Sequence, residues 1–139
     1  MRAERPLPAP DEQSAPYWDA AAEHRLVVAR CGRCGKRTHP PDVTCPKCGH
    51  TDPQFQFEAV KGAGVVCSWT VLHQSFLPGF DDLLPLVLVD VLLDDGDDVR
   101  LIGRLVDGPD SPLRAGARVS VAWEDLAAGV AVPAFALDR

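Results

Sequence analysis

Long apolar runs are missing from this chain of 139 residues. The longest, Leu83 to Leu93, is broken by Pro85 and Asp90 and falls well short of the roughly 20 apolar residues a membrane-crossing helix needs. No membrane span is expected. The stretch from Met1 to Pro10 carries Arg2, Glu4, Arg5 and three prolines but no apolar segment like that of a secretory signal, so the chain is expected to stay in the cytoplasm. Nucleophile elbow, P-loop and dinucleotide fingerprint are also absent, since Gly62-Ala63-Gly64 lacks the strand-to-helix setting that such loops require. The acidic stretch Asp94 to Asp98 lacks the bidentate glutamate of a calcium loop and reads as a solvated hairpin turn. A basic excess is missing too: the formal net charge is −6, and four thiolates around a divalent cation would make it more negative. That opposes general nucleic-acid binding, which depends on neutralising phosphates.

What is present centres on cysteine. Cys31-Gly-Arg-Cys34-Gly35 and Cys45-Pro-Lys-Cys48-Gly49 are two Cys-x-x-Cys turns, and each chelates from one tight bend. In a reducing compartment this spacing points to metal rather than disulfides, and four cysteines close a tetrahedron without leaving a position for substrate. Structural zinc is the expected occupant; iron in the same cage would make an electron carrier. His39 and His50 then take surface or hydrogen-bonding roles. Charge is uneven along the chain. Arg25, Arg30, Arg33, Lys36, Arg37 and Lys47 face only Glu23 and Asp42 between Glu23 and His50, whereas Asp81 to Asp110 holds nine aspartates against Arg100 and Arg104. Arg33, Lys36, Arg37 and Lys47 are the candidate phosphate or partner contacts.

Residues 1–13, rich in proline and charge, are expected to be a flexible tail, with 14–52 forming a helix and the metal knuckle and 53–139 a barrel. Ser14 is placed to cap a helix in which Pro16 occupies the first turn and Tyr17 and Trp18 supply the anchoring face. Leu26 to Arg30 reads as a short strand and Thr38 to Thr44 as a proline-stiffened connector. Six strand candidates follow, 55–60, 65–73, 86–93, 99–106, 118–123 and 132–137, each rich in branched or aromatic residues and bounded by Gly, Pro or Asp. Five or six short strands in this length fit a small Greek-key barrel of the OB type, with a sandwich as the alternative. Alternation in the second strand puts Val65, Cys67, Trp69 and Val71 on one face, so Cys67 reads as core; His73, at its end, reads as a loop-edge histidine.

The third strand does not alternate. Val87, Val89, Val91 and Leu93 make one apolar face, and Leu86, Leu88 and Leu92 make the other apolar as well. The preceding loop, Gln74 to Pro85, adds Phe76, Leu77, Phe80, Leu83 and Leu84. Such a concentration points to a protein interface or an acyl-chain site, or else to a loop that closes over the barrel end as its own lid.

Tyr17-Trp18, Cys31 to Gly35, Pro40-Pro41, Cys45 to Gly49, Gly62 to Val71 and Val132 to Phe135 occur in the order that resembles the domain of unknown function 35 family. The resemblance implies a mainly β protein: an N-terminal helix, a rubredoxin-like zinc ribbon, then a five- or six-stranded OB-fold barrel. It also implies proteins that accompany thiolase-like enzymes and MaoC-like enoyl-CoA hydratases. Some members form heteromeric complexes with thiolase-like retro-aldolases that cleave steroid side-chain CoA thioesters. The expected function is therefore an accessory subunit, not an enzyme on its own, of an acyl-CoA enzyme in steroid or lipid catabolism. Such a subunit supplies partner contacts and a share of acyl-CoA binding, and any hydratase or aldolase is expected to be a separate polypeptide. The site expected to meet the partner or the acyl group comprises Phe76, Leu77, Phe80, Leu83, Leu84, Leu86, Leu88 and Leu92. No organic cofactor, nucleic acid or membrane is expected. Where many relatives read Pro-Tyr before the third strand, this chain has Pro85-Leu86. The competing functions are a zinc-ribbon and OB nucleic-acid module and a rubredoxin-like electron carrier.

Overall fold

The computed structural model describes residues 4–139. Residues 1–3 of the expected tail lie outside the described residues. From Glu4 to Gln13 there is neither helix nor strand. This segment is nevertheless tied to the barrel, because the Arg5 guanidinium pairs with Glu124 at 3.3 Å and lies 4.9 Å from the centre of the Phe80 ring.

Helix α1 spans Ala15–Ala22. Ser14 stands at the N-cap, as expected, but its side chain makes no bond into the helix: Asp11 Oδ1 accepts from the Ser14 N–H at 2.8 Å while Ser14 Oγ accepts from the Asp11 N–H at 3.0 Å. The two side chains satisfy each other's backbone donors in a capping box, and the Ala15 N–H reaches the Asp11 carbonyl at 2.8 Å. The helix buries Tyr17, Ala20 and Ala21. Among the described residues no helix is long and apolar enough to cross a membrane.

Strands β1 (Val27–Arg30), β2 (Arg37–Thr38) and β3 (Gln56–Ala59) form a three-stranded antiparallel sheet with β1 in the centre. The first strand candidate after the cysteines therefore belongs to the ribbon's sheet, because its residues pair with Val27 to Arg30 and with no barrel strand. The remaining strands, β4 (Ala63–Leu72), β5 (Leu86–Leu93), β6 (Arg100–Arg104), β7 (Arg118–Ala127) and β8 (Val130–Leu137), form one sheet in the order β6-β5-β4-β7-β8. A parallel bridge from Leu105 to Phe135 and a 2.8 Å bond from the Val106 N–H to the Phe135 carbonyl curl its two ends together into an OB-type barrel. Gly103 permits that closure, since a Cβ there would stand 3.1 Å from the Phe135 ring.

The inward residues of β5, Val87, Val89, Val91 and Leu93, are all buried, together with Leu105, Val119 and Phe135. A fully buried side chain of this size contributes about 1.5–3 kcal/mol. Tyr17, Leu26, Val27 and Val28 belong to the same cluster, so helix, ribbon and barrel share one core. In β4 the expected alternation fails at one point. A bulge between Val66 and Ser68 shifts the register by a residue, so that Val66, not Cys67, takes the core position, and Cys67 is half-buried. Trp69 remains 44% exposed.

Candidate metal centre and apolar groove

Each Cys-x-x-Cys turn is closed by a glycine with positive φ, Gly35 at 79° and Gly49 at 77°, whose N–H returns to the carbonyl of the first cysteine at 2.9 and 2.8 Å. The two bends face each other. All four sulfurs of Cys31, Cys34, Cys45 and Cys48 lie within 4.8 Å of one another, with Cys31 to Cys48 at 3.9 Å and Cys34 to Cys45 at 3.8 Å. A metal–sulfur bond of about 2.3 Å sets tetrahedral edges of about 3.8 Å, so the cage has the size zinc requires. The N–H of Cys48, and after it that of Lys47, lowers the Cys45 thiol to about 7. The His50 N–H pulls Cys48 down as well, but burial and the neighbouring sulfurs outweigh it and push that thiol up to about 11.

Neither histidine approaches the cage as a ligand. His50 Nδ1 accepts the Asp52 N–H at 2.9 Å. His39 packs against Tyr17 with ring centres 5.0 Å apart, and burial lowers its pKa.

Of the four candidate basic contacts, two are already engaged. Arg33 meets Asp52 at 3.3 Å, and Arg37 meets Glu58 at 2.8 Å. Arg37, and next to it Arg30, holds the Glu58 carboxyl below the usual range. Lys36 and Lys47 form no ion pair among the described residues. Lys47 lines a polar cleft of about 200 Å³ with His39, Arg100, Asp97 and Asp98. The acidic turn between β5 and β6 is not simply solvated. Asp97 accepts the Arg37 N–H at 3.2 Å, Asp95 accepts the Lys61 N–H at 3.2 Å, and the Asp95 carbonyl takes the Arg37 guanidinium. This turn clasps the ribbon to the barrel.

The apolar loop folds over the outer face of β5. Leu77, Phe80 and Leu84 from the loop meet Leu86 and Leu88 from the strand in a groove of about 330 Å³, completed by Leu72, Val132 and Pro133. This explains the doubly apolar strand: one face enters the core and the other floors the groove. Phe76, Leu83 and Leu92 do not line it, and Phe76 projects outward, 91% exposed. Sequence reasoning missed the polar part of the site. Arg5, Arg104 and Glu124 stand at its wall, with Arg104 to Glu124 at 2.6 Å. Burial alone would raise the Glu124 pKa, but Arg104 and then Arg5 outweigh it and hold the carboxyl below the usual range. The three residues come from a terminal segment and two strands far apart in sequence. No local motif announces them.

Two family models match the chain, the ChsH2 rubredoxin-like zinc ribbon domain over residues 18–54 and the ChsH2 C-terminal OB-fold domain over residues 57–124. A chain of the solved Ltp2-ChsH2(DUF35) aldolase is 32% identical, with a TM-score of 0.79 over 94% of this chain and 98% of that one. The protein belongs to the DUF35 family. Another relative, a probable enoyl-CoA hydratase alpha subunit from Thermomonospora curvata, is 33% identical over 136 residues. That match takes in 96% of this DUF35 chain but only 40% of the hydratase subunit's length. A DUF35 protein of unknown function from Sulfolobus solfataricus, 11% identical with a TM-score of 0.60, shares the fold alone.

Proposed function

We propose that this DUF35 chain is the accessory subunit of a thiolase-like, carbon–carbon-cleaving enzyme acting on acyl-CoA thioesters, with a steroid or other lipid side chain as the acyl group. The observation that carries the reading is the likeness, over nearly the full length of both chains, to the DUF35 member of a two-protein aldolase. The groove supports it chemically. Its lining is mostly apolar, apart from the Arg5, Arg104 and Glu124 wall, and suits an acyl chain or an apolar partner segment, and its volume lies within the usual range for small-molecule pockets. Among the described residues the groove lining brings no nucleophile, base and orienting partner together, and in this reading the partner supplies the chemistry.

The four cysteines would hold zinc as a closed structural site. When bound, the cation neutralises part of the thiolate charge and locks the two bends together. In this reading Lys36 and Lys47, both in the ribbon, meet phosphate or partner carboxylates, while Arg33 and Arg37 are held by Asp52 and Glu58.

The test is capture of the tagged chain from its native host, mass-spectrometric identification of the bound protein, and assay of both the complex and the isolated chain on CoA thioesters. The expected result is a thiolase-like partner, with turnover only by the complex. Robust turnover by the metal-replete chain alone would overturn the reading.

A further inference from the structure

Strand β4 runs on past its pairing with β7. β7 runs beside it only from Ala63 to Val65, and the last bonds on that side join Val66 to Ala117 and Gly116 at 3.0 and 2.8 Å. Six residues, Cys67 to Leu72, continue beyond this point.

Which backbone groups they leave open follows from the neighbouring strand. The Leu105 N–H bonds the Val87 carbonyl at 2.9 Å and the Leu93 N–H bonds the Val99 carbonyl at 3.0 Å, so odd-numbered residues of β5 turn their backbone groups toward β6. The even-numbered ones turn toward β4. In an antiparallel ladder, opposed residues either exchange both bonds or neither. Ser68, Thr70 and Leu72 stand opposite Asp90, Leu88 and Leu86 and so hold β5. Trp69 and Val71 point their N–H and C=O groups the other way. Among the described residues no backbone group bonds them there.

Other strand margins are guarded. β6 carries Arg100 and Arg104, β3 carries Glu58, β8 contains Pro133, and β2 has only two residues. Charge, proline and shortness are the usual devices that stop unwanted pairing. Cys67-Ser-Trp-Thr-Val-Leu72 has none of them. Its Trp69 is 44% exposed, and Leu72 at its end also lines the groove, making edge and groove one continuous surface.

We infer that this edge accepts an extended, uncharged segment of the partner enzyme subunit as an added strand, bonded to the backbone of Trp69 and Val71. The inference rests on the partner-subunit reading above and locates its contact. Backbone groups supply affinity in such strand addition, and the flanking side chains select the segment. A second copy of this chain is a poorer occupant. Two such edges would join six residues a side, far below the roughly 20–30 a side of a stable interface, whereas an enzyme subunit can reach the groove and Phe76 as well.

The experiment compares amide hydrogen exchange in the free chain and in the complex isolated from the native host. Expected is slowing of at least about tenfold at Trp69 and Val71 in the complex, with little change at Ser68, Thr70 and Leu72, which are already laddered. Val71→Pro removes one outward N–H without touching the β5 ladder, and should weaken partner binding at least tenfold at unchanged metal content. If the partner binds and both amides exchange as before, the strand addition is wrong while the subunit reading stands. If no second protein copurifies, the subunit reading fails and takes the inference with it. Protection in the free chain with a doubled mass would assign the edge to a second copy and overturn the inference. The wild-type measurement decides among these even if Val71→Pro does not fold.

Discussion

Arg104 on β6 and Glu124 on β7 meet at 2.6 Å across β8, which the closure of the barrel brings between their strands. The pair therefore ties the two ends of the sheet at the wall of the groove, with side chains only 21% and 14% exposed. Arg104→Ala leaves the carboxylate to Arg5 alone and should cost about 2 kcal/mol in urea unfolding at neutral pH. Because the folded-state pKa of Glu124 lies below its unfolded value, its contribution is fully present above the ordinary glutamate range. It is lost as pH falls through the depressed value. Glu124→Gln should therefore flatten the acid limb of the stability curve; an unchanged limb would show that the pair carries no linkage.

Removal of the metal should reach beyond the ribbon. Chelation, or Cys45→Ser, is expected to abolish one bound zinc per chain and to lower the single melting transition by at least about 10 °C. Metal analysis and calorimetry check this. A colourless protein with stoichiometric zinc excludes the iron-carrier alternative, and a red one supports it.

A charge placed in the groove should separate binding from folding. Leu88 lines the groove and is half-buried. Leu88→Glu is expected to keep the melting temperature within a few degrees while turnover by the assembled complex falls at least about tenfold. Equal turnover by wild type and variant would remove the groove from the function.

The clasp between ribbon and barrel can be opened at Arg37. Its guanidinium holds Glu58 and the Asp95 carbonyl, and its N–H is taken by Asp97. Arg37→Ala should speed exchange of the Lys61 amide, which Asp95 accepts, by about tenfold, with barrel amides such as Val89 unchanged. Uniform acceleration across the barrel would mean that the turn is not a local clasp.

The cysteine cage and five barrel strands were legible because their signals are local: paired bends at short spacing, and branched residues between turn formers. The groove was half legible. Leu77, Phe80, Leu84, Leu86 and Leu88 stand out as an apolar excess, but Arg5, Arg104 and Glu124 meet only through the curl of the barrel. Cys67 was misplaced because alternation assumes one residue per step, and the bulge adds an extra one. Ser14 reads as the cap because Pro16 and the alanines follow it, and it does flank the helix, but the side chain that accepts an N–H at this end is that of Asp11. The aspartates at Asp94 to Asp98 read as solvated because nothing local names Arg37, roughly sixty residues earlier, as their partner.

The shared core gives the metal an influence beyond its own site. Tyr17 of the helix and Leu26 and Val28 of the ribbon belong to the same cluster as Val87 and Val89, whose strand floors the groove with its opposite face. A cation bound in the cage would then stabilise the fold that carries the groove, and a ligand in the groove would strengthen metal retention in return. Occupancy of the cysteine cage and occupancy of the groove would then be two inputs to a single folding equilibrium.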